Sequence, residues 1–313
     1  MNKIIRMWNQ NRKVIIIIAL IVVFCFLVLQ ILNNIAKENI RKQNMENTSN
    51  SQNMENKKLP TTSIITGEKV NKETTENNVK VIEEFVSMCN KGQIEEAYNL
   101  LTPNCKETLF KTVDDFRNNY YNIIFKEERT LKIENYKNSV TTNTYAVTFY
   151  EDIMSTGNVS NSSNYKDYIT VEKSTNKLSI NSLIESKSIE KEAKNNGVKI
   201  TVLSQEKYVD YEIYKFKFEN NTENTVMIDT LKTSKSIYLL DRNDIKYSSF
   251  NNEIASSLLQ LSKYTTKTVS IKFNKRYDPV DETKKVIFSD IILNYEQFKE
   301  QNTNEREKIE IKL

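Results

Sequence analysis

Apolar positions along this chain obey three successive rules. Val14 to Leu32 is an uninterrupted run with no charge and one polar side chain, Gln30. As a helix it rises roughly 28 Å, the hydrocarbon thickness of a bilayer, so the pattern predicts a membrane-spanning segment. Further on, apolar residues recur at spacings of three and four. Val79, Ile82, Phe85, Val86 and Cys89 make one stripe; Ile94, Ala97, Tyr98 and Leu101 make a second; Val113 and Phe116 make a third. Gly92 stands where a left-handed residue ends the first helix, Thr102 and Pro103 end the second, and Thr112 with Asp115 has the spacing of a capping box for the third.

After Tyr121 the period falls to two. Thr130–Tyr136, Thr144–Glu151, Tyr165–Glu172 and Lys177–Leu183 read as antiparallel strands, with polar connections such as Ser155 to Asn164. From Val198 onward strands continue: Tyr214, Phe216 and Phe218 alternate with Lys215, Lys217 and Glu219, and Val226 and Ile228 open another strand. Ile237–Leu240 and Ile245–Ser248 flank Asp241–Asp244 as a hairpin, Val269, Ile271 and Phe273 alternate, and Val286–Tyr295 is a further strand. Ile254–Leu261 reads as a short helix or a covering loop. Helices followed by a meander, then strands alone, predict an α+β protein with an all-β sandwich at its end.

Orientation follows from the flanks of the apolar run. Lys3, Arg6, Arg12 and Lys13 precede it with no acidic residue, and such an excess marks the cytoplasmic side. The expected organisation is a cytoplasmic tail over 1–13, a transmembrane helix over 14–32, a polar tether over 33–77, an α+β domain over 78–186, a linker over 187–197 and a β-sandwich over 198–313. A cleavable signal is disfavoured because Leu29, Gln30, Ile31, Leu32 and Asn33 offer no small-residue cleavage site. Val22, Val23 and Phe24 before Cys25 are too large for a lipid-attachment signal. Ser186–Lys194, rich in both charges, reads as an interdomain helix or linker.

Composition removes several chemistries. The net charge is +4, and the first thirteen residues carry all of it, so no basic excess is left to attract nucleic acid. Without a single histidine, imidazole metal sites and histidine-assisted nucleophiles are excluded. The four glycines are too scattered for a phosphate loop. Cys89 and Cys105 either pair in an oxidising exterior, closing a loop worth about 3 kcal/mol, or stay as two buried thiols.

The stretch FVSMCNKGQIEEAYNLLTPNCKETLFKTVDDF, Phe85 to Phe116, resembles the opening of nuclear transport factor 2-like domains, with Gly92, Ala97, Tyr98, Leu101 and Phe116 at the matching positions. That resemblance, over about Asn77 to Ser186, implies three helices on a curved antiparallel sheet, a cone-shaped domain. KFKFENNTENTVMID, IYLLDRNDIKYSS and Ser270–Phe273 resemble immunoglobulin-like domains of membrane-anchored surface proteins of Gram-positive bacteria, although Lys263, Tyr264 and Asn243 stand where turn glycine or proline is typical.

Some cone-shaped relatives are enzymes that place a carboxylate base and a tyrosine or histidine inside the cone. The groups on hand are Asp114, Asp115, Asp152 and Asp167, and Tyr98, Tyr120, Tyr121 and Tyr168, and no spacing selects a pair. Asp114 and Asp115 fit a helix first turn and Tyr98 fits a core. The expectation is a non-enzymatic, single-pass envelope protein with no catalytic, cofactor or metal residues. It holds the lipid bilayer through Val14 to Leu32, binds an envelope protein or the wall, takes no nucleic acid, and is compatible with a homo-oligomer. A membrane subunit of a conjugative transfer or type IV secretion channel is the alternative, and a small-ligand-binding cone is a further one.

Overall fold

The computed structural model describes residues 59–151, 164–232, 235–301 and 306–313. The cytoplasmic tail, the Val14–Leu32 run, most of the expected tether and Asp152 lie outside the described residues. No helix among the described residues is long and apolar enough to cross a membrane.

Regular structure is present within residues that the sequence pattern assigns to the tether. Residues expected in the tether form a small hairpin, in which the Val70 N–H donates to Thr61 O (2.7 Å) and the Ser63 N–H to Glu68 O (2.8 Å). Helix α1 spans Lys72–Asn90, and Asn71 caps it by accepting from the Glu73 N–H at 2.8 Å. Apolar periodicity could not announce this first turn because its inward positions, Thr75 and Asn78, are polar. They are nonetheless buried, and Asn78 Nδ2 donates to the Tyr145 hydroxyl at 3.0 Å. The predicted stripe from Val79 to Cys89 is buried throughout. Gly92 has a φ of +70°, as its terminating place requires.

Helix α2 is Ile94–Asn99, and α3, Pro103–Leu109, was not foreseen. Thr102 and Pro103 do end α2, but they also start α3: the Thr102 hydroxyl accepts from the Cys105 N–H and proline occupies the first turn. Helix α4, Val113–Phe116, has the expected capping box between Thr112 and Asp115. It continues through a π-helical turn, Arg117–Tyr121, into α5, Asn122–Ile124.

Strands β1 (Arg129–Asn138), β2 (Thr142–Glu151), β3 (Tyr165–Glu172) and β4 (Leu178–Ser179) form an antiparallel sheet in that order. Tyr145, Val147 and Phe149 turn one face of β2 toward the helices. Phe85, Phe116, Tyr120 and Phe125 fill the space between, with ring centroids 5.6–6.5 Å apart along the chain from Phe85 to Phe149. Cys89 and Cys105 lie in this core as free, buried thiols. Burial pushes the Cys105 thiol up to about 12, so it behaves as an apolar group and not as a nucleophile.

The expected linker over 187–197 is a strand and its turn. Strand β5, Leu183–Asn195, pairs along its length with β6, Val198–Tyr208, through a turn at Asn196 and Gly197. Their φ values of +44° and +81° suit a two-residue hairpin, and a Cβ on Gly197 would meet Thr222 Cγ2 at 2.6 Å. Beyond it come β7 (Glu212–Asn220), β8 (Val226–Met227), β9 (Ile237–Asp241) and β10 (Lys246–Ser248). Then follow α6 (Ser256–Leu259), β11 (Gln260–Leu261), β12 (Thr266–Phe273), β13 (Thr283–Ile291), α7 (Tyr295–Gln301) and β14 (Glu307–Lys312). The strand expected to reach Tyr295 stops at Ile291, and α7 and β14 are additions to the sequence-based expectation.

These strands form two four-stranded sheets, β12-β7-β6-β5 and β10-β9-β13-β14, with β8 and β11 paired separately. The sheets share one core, in which Phe216 and Phe218 of β7 meet Phe288 of β13 edge to face at 5.2 and 5.6 Å. The protein is α+β: helices pack on an antiparallel sheet, and a β-rich region follows.

Residues 60–313 constitute one compact unit. Tyr136 and Tyr168 from the first sheet pack with Ile184, Val209 and Tyr277, and the buried Lys137 ammonium donates to Tyr277 O (3.1 Å) and Asp278 Oδ2 (3.0 Å).

Candidate functional site

The candidate acids and phenols separate into different roles once placed. Asp115 completes the α4 capping box, and Asp114 pairs on the surface with Arg117. The Tyr98 hydroxyl donates to Phe110 O at 2.9 Å, Tyr121 stacks on Phe125, and Tyr168 meets Tyr136 edge to face. Asp167 and Tyr120 are brought together, which no sequence spacing signalled because 47 residues separate them.

Both are buried. The Tyr120 hydroxyl donates to Asp167 Oδ2 at 2.8 Å, and the Asn181 N–H donates to the same oxygen at 2.9 Å. Oδ1 accepts from the Tyr168 N–H (2.7 Å) and the Ser182 N–H (2.9 Å). Burial raises the Asp167 carboxyl above the ordinary carboxylate range even though these donors pull the other way. Tyr120 is raised well above the usual phenol value, by burial first and by the Asp167 charge second.

This pair has a structural task. Asn181 and Ser182 have φ values of +57° and +62°, a two-residue turn between β4 and β5 made without glycine. Asp167 ties both of their N–H groups, so it offsets backbone strain that a carboxylate in water could not. With four donors within 3 Å of its oxygens, the Ser182 hydroxyl at 3.5 Å and 2% exposure, Asp167 is poorly placed to exchange a proton with a substrate.

Unused hydrogen-bonding capacity sits elsewhere, at the end of the layer between the start of α1 and the β1–β2 hairpin. A cleft of about 560 Å³ opens there, lined among others by Lys69, Val70, Thr74, Asn138, Asn143 and Lys173. Asn143 lies on the same face of β2 as Tyr145, with 0% exposure, and neither atom of its side-chain amide has a hydrogen-bond partner. Next to it in register is Asn138. Asn135 Nδ2 donates to Asn138 Oδ1 at 3.2 Å, which leaves Asn135 Oδ1 and Asn138 Nδ2 without partners. Each orphaned buried group costs about 1–3 kcal/mol. A bulge between Asn135 and Lys137 produces the arrangement, because it shifts the register just before the hairpin turn.

Charge around the cleft is mixed. Lys69 and Glu68 are exposed, and Lys173 Nζ donates to Ser139 O at 2.6 Å. A second cleft, of about 410 Å³ beside Asn90 and Arg129, differs in being internally satisfied: Asn90 Nδ2 donates to Arg129 O at 2.8 Å and the Arg129 N–H donates back to Asn90 Oδ1 at 3.0 Å. No spacing or motif in the sequence marks Asn135, Asn138 or Asn143. Asparagine within otherwise alternating strands was the available signal, since it is depleted there.

No family model matches the chain, and no curated protein matches it. A crystal structure of a conserved hypothetical protein from Bacillus anthracis is similar over 40% of this chain and 96% of its own, at 15% identity and a TM-score of 0.24. A likeness at that level establishes neither a fold nor an activity.

Proposed function

We propose that this chain is a single-pass membrane protein of a Gram-positive envelope, with its amino terminus in the cytoplasm and a non-enzymatic outer region that binds another envelope component. One observation carries the reading: the charge-free Val14–Leu32 run preceded by Lys3, Arg6, Arg12 and Lys13. The sealed Tyr120–Asp167 pair supports a binding role over a catalytic one, since the pair that most resembles an acid–base couple is committed to holding a turn.

Within this reading, residues 78–186 are a nuclear transport factor 2-like domain and residues 198–313 an immunoglobulin-like sandwich. The order of helices before a four-stranded meander supports the first, and two facing four-stranded sheets support the second. The aromatic filling between helices and sheet weighs against a ligand held inside the cone. Protease added to intact cells is expected to digest the outer region and leave a membrane-embedded stub. Full protection of the outer region in intact cells, with digestion after lysis, would refute the address.

A further inference from the structure

We propose that the cleft over Asn143 is a saccharide site, in which the Asn143 amide takes two adjacent sugar hydroxyls and the Asn138 amide nitrogen takes a third. The inference deepens the envelope-binding reading by naming a ligand class, and it rests on that reading for where the sugar comes from.

Asn143 is the observation that points to a ligand. It is fully buried, lines the cleft and leaves both a donor and an acceptor unmatched. A primary amide presents that donor and acceptor side by side, and two adjacent hydroxyls, one donating and one accepting, complement it. Asn138, also in the lining, adds the free donor of its amide, Nδ2, while its oxygen is held by Asn135 Nδ2. A peptide would bring apolar side chains, and among the lining residues Val70 is the one aliphatic side chain to receive them. Thr74 and the exposed Lys69 add hydroxyl and ammonium donors at the rim. Because these amide atoms are buried, binding at them requires rim side chains to turn aside.

The same defect supplies a test that separates a binding role from an ordinary core position. Replacing an unmatched buried amide by an apolar side chain of similar shape raises stability, whereas replacing a matched one lowers it. The full chain, in a detergent without a sugar headgroup, is titrated with maltotriose, with tri-N-acetylchitotriose and with per-O-methylated maltotriose. Saturation-transfer NMR and calorimetry report binding. At least one of the unmethylated trisaccharides is expected to bind and the methylated one to fail. Asn143→Leu is expected to weaken binding by about tenfold or more, the loss of one hydrogen-bonded pair, while raising the urea midpoint. Asn138→Ala is expected to weaken binding and to lower the midpoint, because it strips the buried Asn135 Nδ2 of its acceptor. Absence of binding by both unmethylated sugars, equal binding of the methylated one, unchanged affinity in both variants, or a lowered midpoint for Asn143→Leu would each overturn the proposal. Because these measurements are made on free sugars, they can fail while the protease experiment succeeds, and the reverse.

Discussion

Asp167 and Glu212 are both buried carboxylates, and the two regions of the molecule accommodate them by opposite means. In the helix-and-sheet region, Asp167 is surrounded by neutral donors alone: one phenol, three backbone N–H groups and, at 3.5 Å, the Ser182 hydroxyl. In the β-rich region, Glu212 faces a full positive charge, with Lys275 Nζ at 2.8 Å from Oε1. Gln205, Tyr214 and Thr283 donate to its other oxygen, and Lys275 also donates to Asp281 O. A carboxylate held by dipoles can fix a backbone turn, because its partners are the turn itself. One held by a lysine joins two strand ends, and it depends on that single partner to balance its charge.

The largest effect is expected at Lys275. Lys275→Met leaves Glu212 buried without its counter-charge, and urea unfolding of the full chain is expected to show a loss of about 3–5 kcal/mol. Adding Glu212→Leu should return most of that loss, since a matched apolar pair tolerates burial that a lone charge does not. A double variant as unstable as the single one would mean that the pair does more than neutralise itself.

A smaller loss, about 2–3 kcal/mol, is expected for Asp167→Asn, which turns an NH2 group toward N–H donors that need an acceptor. The same variant is also expected to change the pH dependence of stability. The Asp167 carboxyl is raised by burial above its unfolded value. Its contribution to stability is therefore fully present below the ordinary carboxylate range and lost as pH rises through the raised value. Asp167→Asn should flatten that part of the curve, which thermal melts at a series of pH values would report. An unchanged slope would place the carboxyl's titration outside that window.

Tyr120→Phe removes one of the four donors within 3 Å of a charged acceptor while preserving the ring stack, and about 1.5 kcal/mol is expected in the same urea titration. At the small end stands an exposed neutral cap: Thr112→Ala should cost about 1 kcal/mol, read as a shift in melting temperature. If Tyr120→Phe proves milder than Thr112→Ala, the phenol contributes little to holding Asp167.

Much of the fold was legible because periodicity reports directly on burial. Tyr214, Phe216 and Phe218 alternate in sequence and are all buried. The Thr112–Asp115 box sits where its spacing put it. Strand β5 was hidden for a physical reason: it lies at a sheet edge, where charged side chains keep neighbouring molecules from pairing, so Ser186 to Lys194 has the composition of a linker. The Asn196–Gly197 turn was the signal that could have revealed it. The start of α1 was hidden likewise, because Thr75 and Asn78 are buried through hydrogen bonds and not through hydrophobicity.

The sequence by itself determined the elements whose one face is apolar, the caps and terminators written in adjacent residues, and the chemistries that a chain without histidine forgoes. Tertiary structure alone decided which polar groups meet. Asp167 finds Tyr120 and the Asn181–Ser182 turn, Glu212 finds Lys275, and the Asn135, Asn138 and Asn143 amides gather at one end of the layer. Hydrophobic burial is non-directional and leaves a periodic trace along the chain, whereas a buried hydrogen bond is a contact between two particular groups that local sequence does not encode.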